Sequence, residues 1–232
     1  MLDITINRDT FALTLEDVKS AIAEQKYMKH YNSCKAFNDA NIEDDMNHGV
    51  PMMNKVFYEM FISSGAIPSW QSFLFEYKTR HCVKKPNGKL TFTDSNPRHS
   101  YEFDEPALDK KLIRAYMSFL KEVYVMFWFF DKKIDNVYYS LENDIAGFDV
   151  SLFHRDRLFG IKIYANTYDA NKFAKIKKST RNHLPENSVG IAIRSDFNDY
   201  NRLGDTYVFH EGVLKFVYGY ASRTTTFQDI VV

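Results

Sequence analysis

The chain is poor in cysteine, has no net charge and contains no long apolar run. Only Cys34 and Cys82 occur among its 232 residues, too few for a disulfide framework. With no Asn-x-Ser/Thr acceptor and no leader-like N-terminus, we expect a reduced, cytoplasmic protein. The longest apolar run, Val123 to Phe130, is far below the roughly 18 residues that span a bilayer, so we expect no membrane partner.

Several familiar site patterns are also missing. There is no GxSxG nucleophile elbow, no Gly-rich phosphate loop and no HExxH helix. His30 and Cys34 are four residues apart on an expected helix, but no further ligands follow at zinc-like spacing. Because the formal charge is zero, binding to a polyanion needs a local basic patch.

What the chain does have is ample material for a core. Hydrophobic residues make up 45% and aromatic residues 16% of the sequence. Residues 1–99 are predicted to form a mostly helical region, whose expected elements are a helix beginning at Thr14, helices over Val50 to Ser63 and Ser69 to Thr79, and a hairpin around Asn87-Gly88.

Residues 100–232 are predicted to form a second, α/β region. Its expected elements are a long helix from Asp104, strands at Asn136 to Leu141, Gly147 to Phe153 and Leu158 to Ala165, a helix from Asp169 to Arg181, a buried strand from Ser188 to Arg194, and a closing hairpin of Thr206 to His210 with Val213 to Tyr220. The fold class is therefore α+β, with a mixed sheet flanked by helices after a mostly helical N-terminal region.

The most informative stretch runs from Gly147 to Tyr164. It predicts two strands in which one acid, Asp149, and one lysine, Lys162, interrupt apolar residues. A turn of two or four residues centred on Arg155-Asp156 places Asp149 directly opposite Lys162, whereas a three-residue turn places them on opposite faces. The pair is either a cross-strand ion pair or a site that holds a divalent cation beside a phosphate. A charge on a central strand is costly without a partner, which favours the second interpretation.

The order helix, strand, strand, strand, helix, strand from Asp104 to Arg194 resembles the PD-(D/E)XK (restriction endonuclease-like) nuclease superfamily. The stretches Ala146-Gly147-Phe148-Asp149-Val150 and Phe159-Gly160-Ile161-Lys162 are nearest in pattern to its Mrr-type branch. The resemblance implies a DNA endonuclease of restriction, defence or mobile-element type that depends on Mg²⁺ or Mn²⁺. It also implies a homodimer or larger complex, because many enzymes of this superfamily cut duplexes as dimers.

The resemblance assigns roles to these residues. It makes Asp149 a metal ligand and Lys162 the group that steadies the attacking hydroxide and the phosphorane charge. Gly160 stands where the family usually carries a second acid. We therefore expect Glu142 to be the substitute catalytic acid and metal ligand, with Asp144 as the second choice.

A basic stretch follows the third of these strands. Its residues are Lys172, Lys175, Lys178 and Arg181, on the helix expected from Asp169 to Arg181. They are candidates to hold the DNA backbone, although a solvated basic helix face explains them equally well.

Two other functions remain open. Gly160 in place of the second acid is consistent with a nuclease fold that binds DNA without cutting it. The zero net charge and the high aromatic content are consistent with a protein-protein assembly module without a nucleic-acid role.

Overall fold

The structure is a computed structural model that describes residues 4–34, 51–93, 102–134, 137–141, 149–154, 157–165, 188–195, 200–223 and 230–231. The helices in these ranges are α1 (Leu15–Glu24), α2 (Met28–Ser33), α3 (Met53–Ser64), α4 (Trp70–His81), α5 (Glu105–Asp131) and α6 (Glu211–Arg223). The strands are β1 (Thr5–Ile6), β2 (Cys82–Lys84), β3 (Leu90–Phe92), β4 (Val137–Ser140), β5 (Val150–His154), β6 (Arg157–Ala165), β7 (Ser188–Ser195), β8 (Tyr200–Leu203), β9 (Thr206–Phe209) and β10 (Ile230–Val231). The fold is mixed α+β, as predicted.

Local hydrogen bonds explain where the first helices begin and end. The amide and hydroxyl of Thr14 donate to Asp17 Oδ2 at 2.8 and 2.6 Å, and the Asp17 amide donates back to Thr14 Oγ1, which caps α1. Helix α3 ends at Gly65, whose φ of 66° is costly for other residues. Helix α4 begins after Ser69, whose Oγ accepts from the Ser72 amide. The predicted break between α3 and α4 is confirmed.

The chain divides into two compact units. The sheet unit contains residues 1–22 and 120–232, and the helical unit contains residues 23–119. The expected division at residue 99 differs from this one in two places. Strand β1 pairs with β4, which assigns the N-terminus to the sheet. The first half of α5 belongs to the helical unit, where Tyr116 donates its hydroxyl proton to the Pro68 carbonyl at 2.7 Å.

The sheet unit is built on a mixed six-stranded sheet with the order β1-β4-β5-β6-β7-β10. Strand pairs β1–β4, β4–β5 and β5–β6 are antiparallel, whereas pairs β6–β7 and β7–β10 are parallel. Strand β6 is therefore paired along both edges. Val150, Leu152, Phe159 and Ile161 alternate along β5 and β6 and are all buried, so one face of the sheet covers the core.

The last third of the chain departs from the predicted hairpin. Strand β9 pairs with β8, through a turn in which Gly204 has a φ of 59°, and residues 211–223 form helix α6 instead of a strand. The prediction was wrong because Glu211-Gly212 was taken as a turn. Those two residues open a helix whose Leu214 and Val217, three apart, are buried on one side.

The end of α5 is buried, as its apolar sequence predicted. All eight residues from Val123 to Phe130 lie in the core. No helix in the described part of the chain combines the length and hydropathy that a bilayer crossing requires.

Aromatic packing holds the helical unit together. The ring of Phe57 on α3 lies 5.0 to 5.9 Å, between centroids, from Tyr58, Phe73, Tyr116 and Phe119, most of them edge-on or tilted. Phe57 itself is fully buried. Such rings contribute through both apolar burial and ring geometry.

We predict that Phe57→Ala lowers the free energy of unfolding by about 3–5 kcal/mol, because it leaves a cavity among four rings. The matched control is Phe75→Ala, since Phe75 is 69% exposed and its replacement should cost less than about 0.5 kcal/mol. Urea denaturation of both variants measures the difference. If both variants lower the free energy of unfolding equally, the rings around Phe57 do not stabilise this unit as proposed.

Candidate functional site

The β5–β6 hairpin that carries Asp149 and Lys162 has the predicted register. The pairs run from His154 opposite Arg157 to Val150 opposite Ile161, so two residues separate the strands. This is the register that keeps the buried residues of both strands on one face.

Asp149 departs from this register at the end of the ladder. It lies one residue before β5, is half-buried, and donates its amide to the Ile161 carbonyl at 2.9 Å. The last assigned pair is Val150 with Ile161, so Asp149 and Val150 both lie against one residue, as in a β-bulge. The expected direct pairing of Asp149 with Lys162 is therefore not found, because the Asp149 amide binds the residue before Lys162.

Lys162 lies on a strand that is covered by neighbours along both edges. It pairs with Ala192 of β7, and its side chain is half-buried. The adjacent Ile161 is fully buried on the opposite face of the strand. At least part of the lysine stem is therefore covered by the protein.

A row of small residues crosses the sheet beside Lys162. Ser151 of β5 pairs with Gly160 of β6, which pairs with Gly190 of β7. Ser151 and Gly160 are buried. Gly160 occupies the position at which the resemblance implies a second acid, so β6 supplies no carboxylate there.

The other sequence-predicted site residues lie outside the described residues. They are Glu142, Asp144, Lys172, Lys175, Lys178 and Arg181. Among the residues that the structure does describe, no group of three or more His, Cys, Asp or Glu side chains could hold a metal ion. Asp149 is thus the one described member of the expected ligand set.

Sequence reasoning missed a buried acid in the sheet unit. Glu122 on α5 is only 4% exposed, and burial lowers the pKa of the neighbouring Lys121. A buried carboxylate is costly and is retained only where other groups stabilise it. The signal was available, because Lys121 and Glu122 are the only charged residues between Arg114 and Asp131.

The helical unit contains a second group of charged side chains, also missed. Lys78 donates to Glu105 Oε1 at 2.6 Å and to Asp109 Oδ1 at 3.0 Å, and His30 Nε2 lies 3.0 Å from Asp109 Oδ2. Burial opposes the charge of Lys78, but its bonds to the two acids outweigh this effect and raise its pKa. The bond from Lys78 lowers the pKa of Glu105. Sequence spacing could not reveal this cluster, because its members come from three helices.

These side chains border a cavity of about 530 Å³. Its lining also includes Trp70, Leu74, Phe75 and Cys82. A thiol beside a histidine and an aspartate invites comparison with a cysteine hydrolase. Burial, however, raises the pKa of Cys82 to about 11, so the thiol stays protonated and is a poor nucleophile at neutral pH.

Comparisons with known proteins add no relative to this description. No family model, curated protein or solved structure matches the chain.

We predict that Lys78→Met destabilises the protein by about 2 kcal/mol, because it leaves the buried Asp109 carboxylate without its ammonium partner. The control is Lys19→Met, which breaks only the exposed pair with Glu16 and should cost less than about 1 kcal/mol.

The pH dependence of Lys78→Met follows from two pKa shifts. The lowered pKa of Glu105 gives stability that is lost as the pH falls through its folded-state value. The raised pKa of Lys78 gives stability that is lost as the pH rises through its own folded-state value. The difference between wild type and Lys78→Met should therefore be largest from about pH 5 to 10 and shrink on either side. If the difference in denaturation midpoint between wild type and Lys78→Met is the same at every pH, this explanation is wrong.

Proposed function

We propose that the chain is a Mg²⁺-dependent DNA endonuclease of the PD-(D/E)XK type. One observation carries the proposal: half-buried Lys162 lies on a strand paired along both edges, and Asp149 binds the residue immediately before it. The surrounding elements follow the order on which the resemblance rests, with α5 followed by β4, β5 and β6, and later by the parallel strand β7. An acid at the start of one strand and a lysine on the adjacent strand are suited to act on one phosphate.

Asp149 has the chemistry of a metal ligand. Carboxylate oxygens are the donors that Mg²⁺ prefers, and Asp149 is only half-buried at the end of its strand. Glu142 and Asp144, a few residues earlier in the chain, are the proposed further ligands. Bound Mg²⁺ supplies Lewis-acid polarisation of the scissile phosphate.

Lys162 has the chemistry of a transition-state stabiliser. As water adds to phosphorus and one P–O ester bond breaks, negative charge grows on the phosphoryl oxygens. An ammonium that donates to those oxygens from a partly desolvated position lowers the barrier more than one in water. Its backbone is paired with Ala192 of β7, and the preceding Ile161 is paired with β5, so little reorganisation is needed.

The basic residues after β6 are proposed to hold the DNA. Lys172, Lys175 and Lys178 recur every third residue, which places them close to one face of the expected helix. They would contact backbone phosphates without reading sequence.

A second candidate function is DNA binding without cleavage, and a different observation supports it. The row of Ser151, Gly160 and Gly190 lacks a carboxylate beside Lys162. A metal held by too few oxygens binds weakly, so the same sheet could bind DNA without cutting it.

We predict that wild-type protein cleaves supercoiled DNA with Mg²⁺ or Mn²⁺, and that Asp149→Ala and Lys162→Met each reduce the rate by at least about a hundredfold. The matched controls are Asp131→Asn and Lys215→Met, which change exposed charges in the same unit and should leave the rate unaltered. Agarose gels with time courses measure the rates.

Other results of the cleavage assay also decide between functions. Cleavage by Asp149→Ala at the wild-type rate would refute the role of Asp149. Shifted but intact DNA with wild type in both metals would favour the second candidate. If the wild-type protein neither cleaves nor shifts DNA, the protein-protein assembly module is the function that remains.

We predict that charge reversal at Lys172 and Lys175 weakens DNA binding on all sequences alike, because phosphate contacts carry no sequence information. The slope of log affinity against log salt should fall in magnitude by about 2. Lys215→Glu is the control, since Lys215 is exposed and paired with Glu211. Salt-dependent gel shifts measure the slope, and an unchanged slope would assign the basic residues to a solvated surface.

A further inference from the structure

Phe75 is the most exposed large apolar side chain in the described part of the chain. It lies on α4 and is 69% exposed, whereas the apolar residues just before it, Phe73 and Leu74, are buried. A phenyl ring left in water forgoes the free energy that its burial provides. Single exposed apolar residues are common, so Phe75 is informative only together with the side chains that surround it.

The neighbours of Phe75 on the outer face of α4 carry no charge. Gln71 and Thr79 lie four residues before and after Phe75 and are exposed, so the three side chains form one stripe along the helix. All three also border the cavity of the helical unit. The solvent-facing side of a helix is ordinarily rich in charged residues. An uncharged stripe with an aromatic ring at its centre has the composition of the core of a protein-protein interface.

The cavity makes this surface concave beside the stripe. Its volume is about 530 Å³, and the buried side chains of Leu74 and Leu90 are part of its lining. An exposed ring and a concavity with apolar lining therefore occur on the same surface. When two copies associate about a two-fold axis, each copy presents the same surface to the other, so a ring from one copy can enter the cavity of the other.

The charged groups around the cavity favour a second copy over a charged partner. The lining has two ammonium groups, Lys78 and Lys84, and two carboxylates, Glu105 and Asp109. Lys78 bonds both acids and, together with Lys84, lowers the pKa of Glu105. Because these charges balance one another, the surface attracts neither a polyanion nor a polycation. A balanced surface also does not repel an identical one, which a contact about a two-fold axis requires.

We propose that this face of the helical unit, formed by the stripe of Gln71, Phe75 and Thr79 and by the cavity, is the surface through which two copies of the chain form a dimer. Phe75 of each copy is buried in the cavity of the other, and the charged groups of the lining form the rim of the interface. All of these residues belong to the helical unit, so the dimer does not depend on the proposed cleavage.

Sedimentation velocity over a range of concentrations tests the proposal. We expect the unaltered chain to sediment as a dimer at about 100 µM and to dissociate on dilution to about 1 µM. Phe75→Glu should weaken the dimer at least about thirtyfold, because it places a carboxylate at the centre of the interface. The matched control is Phe216→Glu. Phe216 is 57% exposed on α6, in the sheet unit, so its replacement should leave the dimer unaltered.

A second pair of variants tests the balance of charge. Lys84→Glu leaves Lys78 alone against three carboxylates in each copy, so the two surfaces repel each other. The dimer should weaken about tenfold at low salt and recover as salt screens the repulsion. Lys85→Glu changes a neighbouring lysine that does not line the cavity, and it should have no effect. Equal affinities for Lys84→Glu and Lys85→Glu at low salt would place the contact elsewhere.

The remaining outcomes also decide the proposal. A chain that is monomeric at every concentration would overturn it and leave this face to a different partner, and a dimer that Phe75→Glu and Phe216→Glu weaken alike, or not at all, would place the contact elsewhere. If circular dichroism shows that Phe75→Glu does not fold, Phe75→Ala replaces it, because its cost to the dilute monomer is expected to be small. Phe75→Ala should weaken the dimer at least about tenfold.

Discussion

The pairing of β6 along both of its edges is the constraint on which the candidate site depends. Eight residues of β6 pair with β7 in parallel, and five pair with β5 in antiparallel fashion. Because side chains alternate between faces, this pairing commits Phe159 and Ile161 to the core and Lys162 to the other face. A one-residue slip would bury the lysine in the core and expose the isoleucine. The apolar residues of β5 and β6 therefore determine the face of the sheet on which a charged residue lies.

Both units also contain charged side chains that are buried or half-buried. The Lys78 ammonium and the His30 imidazole each lie 3.0 Å from an Asp109 carboxylate oxygen, and these two contacts stabilise the buried carboxylate. In the sheet unit, Glu122 is buried and Lys162 is half-buried. Partial burial strengthens the electrostatic attraction between a charged side chain and an ion of opposite sign. Sites that stabilise developing charge use this effect. The two units thus carry separate polar centres.

Most local elements could be predicted because their signals are short in range. Thr14 with Asp17, Gly65 with Ser69, and Asn87 with Gly88 define helix and hairpin ends through bonds within a few residues. Residues 211–220 were misassigned because Glu211-Gly212 resembles a turn, whereas His210 accepts the Gly212 amide at 3.1 Å and helps to begin a helix. Gly204-Asp205, the actual turn, was overlooked.

The amino-acid sequence by itself determined helices α1, α3, α4 and α5, strands β4 to β7, and the alternation of faces along the β5–β6 hairpin, although the length of its turn stayed open and α6 was misassigned as a strand. These follow from capping, from turn chemistry and from a side-chain period of two. Only the tertiary structure decided that the Asp149 amide binds Ile161, that Thr5 and Ile6 pair with β4, and that His30, Lys78, Glu105 and Asp109 meet around one cavity. Contacts between residues distant in the chain depend on how whole elements pack, and no local pattern encodes them.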